Sequence, residues 1–288
     1  MAWPQLVWRR PVLRAVLLLG ASCCVGVHAA PSDAPEVRLY ALDCGRIDFR
    51  DLSSFSDTGE YDGKSGYIVV PCFLVRHPHG TLMWDTGLGD RVPRETNTGA
   101  NTGVRMSVEM PLGRQLAAIG LQPAKITYLA FSHLHLDHTG NANAFASATW
   151  ILNRAELAWA TTDPAPFAVV PASFSAYRTA KVKMIDGDYD VFGDGTVRIL
   201  KAPGHTPGHE VLMLRLKRAG VVILAGDLYH MRTDRQFRRV PLFNVSRADT
   251  LASYDRIERI VRNTNARLII QHDPDDFQSL PKFPLYLH

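Results

Sequence analysis

Ser132-His133-Leu134-His135-Leu136-Asp137-His138-Thr139-Gly140 constrains the fold more than any other stretch, because it packs three imidazoles and a carboxylate into six positions. A core cannot absorb so many polar groups, so the segment must sit where a buried element ends. The apolar run Ile126 to Phe131 just before it reads as a buried strand. If that strand continues into the motif, His133 and His135 project from one face and reach one metal ion. Asp137 and His138, past the alternation, can then serve a second. The bland alternative is a solvated turn that happens to be rich in His.

Three further positions share the same setting, a polar residue just past an apolar run. His205 lies in the turn Pro203-Gly204-His205-Thr206-Pro207-Gly208, Asp227 follows Leu224-Ala225-Gly226, and His272 follows Ile269-Ile270-Gln271. Strand ends far apart in sequence can converge. The expected sets are His133, His135 and His205 for one ion and Asp137, His138 and His272 for the other, with Asp227 between them. Such pairs of ions lie ~3.5–4 Å apart and share an activated water or hydroxide. His209 is expected to support the site without joining it. His77 and His79, beside Pro and Gly in the turn His77-Pro78-His79-Gly80, read as solvent-exposed.

The rest of the 288 residues reads as short strands and helices. Strands are expected at Val37 to Asp43, Tyr67 to Arg76, Thr81 to Asp85, Thr149 to Asn153 and Arg267 to Gln271. A meander runs through Val182 to Ile185, Tyr189 to Phe192, Val197 to Lys201, Val211 to Leu216 and Val221 to Ala225. Helices are expected at Pro111 to Ile119, Arg154 to Thr161 and Asp249 to Arg262. A long polar loop runs from Leu88 to Met106. Two β-rich halves, each covered by helices, bury everything if their sheets face one another.

Residues 1–29 read as an export signal: Arg9, Arg10 and Arg14, the apolar stretch Ala15 to Val25, then Val27-His28-Ala29. The apolar stretch is short of the roughly 20 residues a membrane span needs, so no stable membrane insertion is expected. The expected product is a single hydrolase domain, 30–288, that is periplasmic or secreted. Removing the signal takes the formal charge from +4 to +1 by the loss of three arginines. No basic stripe remains to suggest nucleic acid. Cys44 and Cys72 stay, either as a disulfide in an oxidising compartment or as two buried thiols.

These motifs, together with Asp85-Thr86-Gly87, resemble the metallo-β-lactamase superfamily, which implies an αββα sandwich: two facing mixed sheets with helices outside. Tyr40 to Gly45, Val70-Pro71-Cys72, Thr81 to Leu88, Phe237 to Pro241 and Leu280 to Pro284 are similar to N-acyl-homoserine lactonases, in particular exported ones. The resemblance implies opening of an N-acyl-homoserine lactone by a hydroxide between two divalent metal ions, most naturally Zn2+, with Asp137 moving the proton. A phosphotriesterase, aryl-esterase or β-lactamase of the same fold is the alternative, although β-lactamases usually carry Cys or Ser where Asp227 stands. Well-known lactonases carry Tyr three residues past the bridging aspartate. Here that residue is His230, expected to donate to the oxyanion if it faces the pocket and otherwise to support the site; Tyr229, Met231 and the loop from Leu88 to Met110 are expected near the acyl chain, with Leu134 and Leu136 also in position but more naturally read as core. Oligomeric state stays open.

Overall fold

The computed structural model describes residues 36–92, 96–97 and 103–288; the expected export signal and part of the loop after Leu88 lie outside these. In chain order the strands are β1 (Arg38–Phe49), β2 (Gly66–His77), β3 (Gly80–Trp84), β4 (Thr96–Asn97), β5 (Val104–Ser107), β6 (Tyr128–Ala130), β7 (Thr149–Asn153), β8 (Lys181–Ile185), β9 (Tyr189–Asp190), β10 (Val197–Lys201), β11 (Glu210–Leu216), β12 (Gly220–Leu224) and β13 (Arg267–Ile269). The helices are α1 (Leu112–Ala118), α2 (Leu136–Thr139), α3 (Arg154–Ala160), α4 (Arg232–Phe237), α5 (Arg247–Thr264) and α6 (Pro274–Gln278).

One sheet runs β4-β5-β1-β2-β3-β6-β7-β8 and the other β13-β12-β11-β10-β9, both mixed. Alternation explains how they pack. In β11, Leu212, Leu214 and Leu216 point into the core between the sheets, whereas Val211 and Met213 point out toward Ile257 of α5. In β2, Phe73 and Val75 face the same inner core, and Cys72 and Leu74 face Leu112 and Leu116 of α1. Strands buried on both faces read as unbroken apolar runs. The αββα arrangement inferred from the sequence is the one observed. Among the described residues, no helix is long and apolar enough to cross a membrane.

Four expectations need correction. The strand before the His motif stops at Ala130 rather than running into it, because Asp85 turns off β3 at φ 59° and its carboxylate takes the Ser132 amide (2.7 Å). His133 and His135 are therefore held by a loop and by the first turn of α2. Strand β1 does not end at Cys44-Gly45 but bulges there, with Gly45 at φ 143° and a register shift between Asp43 and Arg46. Strand β8, placed with the meander, instead pairs parallel to β7 in the first sheet. His77 is buried, stacked at 4.1 Å on Phe192, and its Nε2 lies 2.9 Å from Asp194 of the second-sheet hairpin. His79 is exposed, as expected.

Cys44 and Cys72 form a disulfide between neighbouring strands, with Cα atoms 5.7 Å apart. Gly87 lies directly over it: a Cβ there would come within 2.3 Å of the Cys44 Cβ.

Candidate metal centre

All seven sequence-selected ligands meet at one end of the sandwich. The donor atoms of His133, His135, His205 and Asp227 lie within 4.8 Å of one another, and so do those of Asp137, His138 and His272. Asp227 joins the two groups. Its Oδ2 is 3.4 Å from His205 Nε2 and 3.8 Å from His133 Nε2, and its Oδ1 is 3.1 Å from His138 Nε2 and 3.0 Å from His272 Nε2. Asp137 Oδ2 stands 3.6 Å from His272 Nε2 and 3.8 Å from His138 Nε2.

Where the protons sit shows what the centre can hold. His272 Nδ1 donates to the Val69 carbonyl (2.7 Å), His205 Nδ1 to Asn244 Oδ1 (2.9 Å), and His138 Nδ1 to the Asp85 carboxylate (3.0 Å). When such a ring is neutral, its Nε2 lone pair aims inward. His133 Nε2 faces His135 Nδ1 at 2.9 Å, and His138 Nε2 faces His272 Nε2 at 3.3 Å. Lone pairs meeting around a buried carboxylate, whose Oδ1 has no hydrogen-bond donor, fit divalent cations and little else. Imidazole and carboxylate donors in this number suit two such ions.

The electrostatics divide the rings: the carboxylates make His138 and His272 more basic, while burial makes His133, His135 and His205 less so. Burial pushes Asp227 up, but the surrounding rings, His272 and His138 foremost, outweigh it and hold the carboxyl well below its usual range. Burial holds His133 and His205 well below the usual imidazole value and brings His135 to about 4. His138 goes the other way: burial lowers it, yet Asp227 and Asp85 outweigh that and raise it.

His209 supports the centre without joining it, as expected. Its Nδ1 donates to the Ala202 carbonyl and its Nε2 accepts the Asp227 amide, each at 2.9 Å, so neither nitrogen is free. His77, His79 and Asp194 also cluster. Both His77 nitrogens are already engaged there, one by the His79 amide and one by Asp194.

Tyr229 is not at the site, contrary to expectation. The 3-10 turn Gly226–Leu228 rotates its ring under α5, where it stacks on Tyr254 and donates to Glu258. The same turn brings the buried His230 in, with Nε2 3.0 Å from Asp227 Oδ2. A carboxylate oxygen only accepts, so Nε2 carries a proton, and Nδ1 has no hydrogen-bond partner among the described residues. The Nε2–H of His230 is directed at Asp227.

The centre opens into a cavity of about 210 Å³ walled by Ile47, Phe55, Met106, Leu136, Phe167 and Phe243. Leu134 lies in the core, as expected, and Met231 packs beside the cavity's aromatic cluster. A larger cleft near Arg46, Tyr67 and Lys282 is lined by none of the seven ligands.

Several supporting residues escaped the sequence reading. Gln271 accepts the Trp84 indole N–H and the Gly226 amide and donates to Asp85. Two buried carboxyls, Glu156 and Glu210, stand behind the first ligand set; burial pushes them up to about 7 and about 8. An acid raised in the folded state gives its full stability below its unfolded value of 4.5 and loses it as pH climbs through the folded value. Glu210→Gln should therefore flatten the fall in melting temperature between pH 5 and pH 8, sparing on the order of 4 kcal/mol at about 1.4 kcal/mol per unit. Identical slopes for the two proteins would refute an elevated Glu210.

The superfamily model that matches residues 66–272 is described as metallo-beta-lactamase. The N-acyl homoserine lactonase AttM of Azorhizobium caulinodans is 31% identical over 264 residues, covering 87% of this chain and 98% of the relative. AiiA of Bacillus thuringiensis subsp. kurstaki, also an N-acyl homoserine lactonase, is 27% identical over 258 residues, covering 87% and 98%. Among solved structures, a B. thuringiensis AiiA mutant with N-decanoyl-L-homoserine at its active site superposes with a TM-score of 0.76 at 25% identity, covering 86% and 98%. An N-acyl homoserine lactone hydrolase with N-hexanoyl-L-homoserine at its catalytic metal center gives 0.75 at 25%, with the same coverage.

Proposed function

We propose that this chain, which belongs to the metallo-beta-lactamase superfamily, is a metal-dependent hydrolase that opens the lactone ring of N-acyl-homoserine lactones. The observation that carries the reading is Asp227, whose two oxygens face two separate ligand sets at the floor of an apolar-walled cavity. His133, His135 and His205 would hold one ion, Asp137, His138 and His272 the other, with zinc the ion proposed. Two such ions supply a water made acidic near neutral pH and a Lewis acid for the ester carbonyl.

The chain's own groups do the rest. Phe55, Phe167 and Phe243 give an acyl chain an apolar wall and keep water from the ester. Asp137, half-buried and facing the cavity, takes up the nucleophile's proton and returns it to the leaving alkoxide. His230 orients Asp227 through Nε2 and contributes to the cavity lining. Replacing His230 with Phe should lower kcat/KM or metal affinity roughly 10–100-fold. Full activity and wild-type metal affinity in that variant would remove His230 from the mechanism.

The deciding experiment measures hydrolysis of a long-chain homoserine lactone, a β-lactam and an aryl phosphotriester on one sample of known metal content. Fast turnover of the lactone alone supports the reading. A metal-loaded sample inert toward it overturns the reading, and the faster of the other two names the replacement. We also propose that the mature protein is exported to the periplasm or beyond. The Cys44–Cys72 disulfide, which needs an oxidising compartment to persist, supports this.

A further inference from the structure

The structure assigns Glu156 the role of a positioning residue that locks together the two loops bearing His133, His135 and His205. The assignment deepens the two-ion reading above and rests on it. Glu156 lies in the first turn of α3 and is 3% exposed. Its Oε1 accepts the amide of Leu134, the residue between His133 and His135, at 2.9 Å. Its Oε2 accepts the amide of Gly208, three residues past His205, also at 2.9 Å. One carboxylate thus sets the separation of two loops that are over 70 residues apart in the chain.

The fit between these loops is tight. A Cβ on Gly208 would lie 2.4 Å from the Glu156 backbone nitrogen and 2.6 Å from Asn153 Oδ1, so the His205 turn is pressed against the start of α3. Asn153 caps that helix by accepting the Ala155 and Glu156 amides, which fixes where the Glu156 side chain begins. The second ligand set has different anchors: Asp85 for His138 and the Val69 carbonyl for His272. Loss of the Glu156 bonds should therefore disturb one ion and spare the other.

Glu156→Gln keeps the volume but turns an amide N–H toward a backbone N–H, donor against donor. The test is metal stoichiometry and affinity, read by competition with a chelator for zinc at pH 7 in wild type, Glu156→Gln and Glu210→Gln. Glu210 is the control, since it is equally buried beside Glu156, yet among the described residues its side chain takes a hydrogen bond from Asn153 Nδ2 and from neither ligand loop. Expected are two ions in wild type and in Glu210→Gln, and in Glu156→Gln one unchanged ion and one bound roughly 10–100-fold more weakly. Two wild-type affinities in Glu156→Gln, or equal weakening of both, would overturn the assignment. A wild type that binds fewer than two ions would instead refute the two-ion reading, and this inference with it. Should Glu156→Gln not fold, amide exchange in metal-free wild type decides the matter: the Leu134 and Gly208 N–H groups must be protected, and free exchange at either refutes the clamp.

Discussion

Asp227→Asn is expected to cut lactone hydrolysis roughly 10³-fold or more and to leave the protein short of metal. The substitution keeps the shape and one carbonyl oxygen and removes only the charge. That charge is what both ligand sets share, since its oxygens lie 3.0–3.4 Å from His272, His138 and His205. An amide would also place an N–H against lone pairs that cannot receive it and a cation at once. Metal analysis and kcat/KM on the same preparation check the outcome. Two ions and a wild-type rate in Asp227→Asn would mean that the carboxylate merely fills space.

Removing the disulfide is expected to cost much of the fold's stability. In the chain-entropy account, a cross-link closing 28 residues restrains the unfolded chain by about 3.5 kcal/mol. Replacing both Cys44 and Cys72 with Ala should thus lower the melting temperature by about 10 °C. The effect should reach the centre as well. Gly87 rests on the disulfide and its carbonyl takes the Gly140 amide, while Thr86 binds the His138 carbonyl through both its amide and its hydroxyl. Equal denaturation midpoints with and without a reductant that opens the bond would contradict the expectation.

The ligands were legible because each breaks a local rule: a buried apolar run that ends in His or Asp leaves a polar group where water is scarce. Their supports were not, for the opposite reason. Asn153-x-x-Glu156 follows the rules of a helix start, and nothing local shows that Glu156 serves two distant amides. Asp85, noted only as part of a motif, takes the Ser132 amide and hydroxyl, His138 and Gln271, all from other segments. Sheet membership failed in the same way for β8, whose sequence fits either sheet, and burial failed for His77, which Phe192 covers from the opposite half. Tyr229 and His230 show the limit most plainly. They are adjacent in sequence, and a single 3-10 turn decides which of them faces the centre.

The ligands are divided between the two layers. His133 to His138 follow β6 of one sheet, whereas Asp227 and His272 follow β12 and β13 of the other. Bound ions would therefore span the seam along which the sandwich must part when it unfolds. Parting the layers would then mean losing the ions, so bound metal works against unfolding.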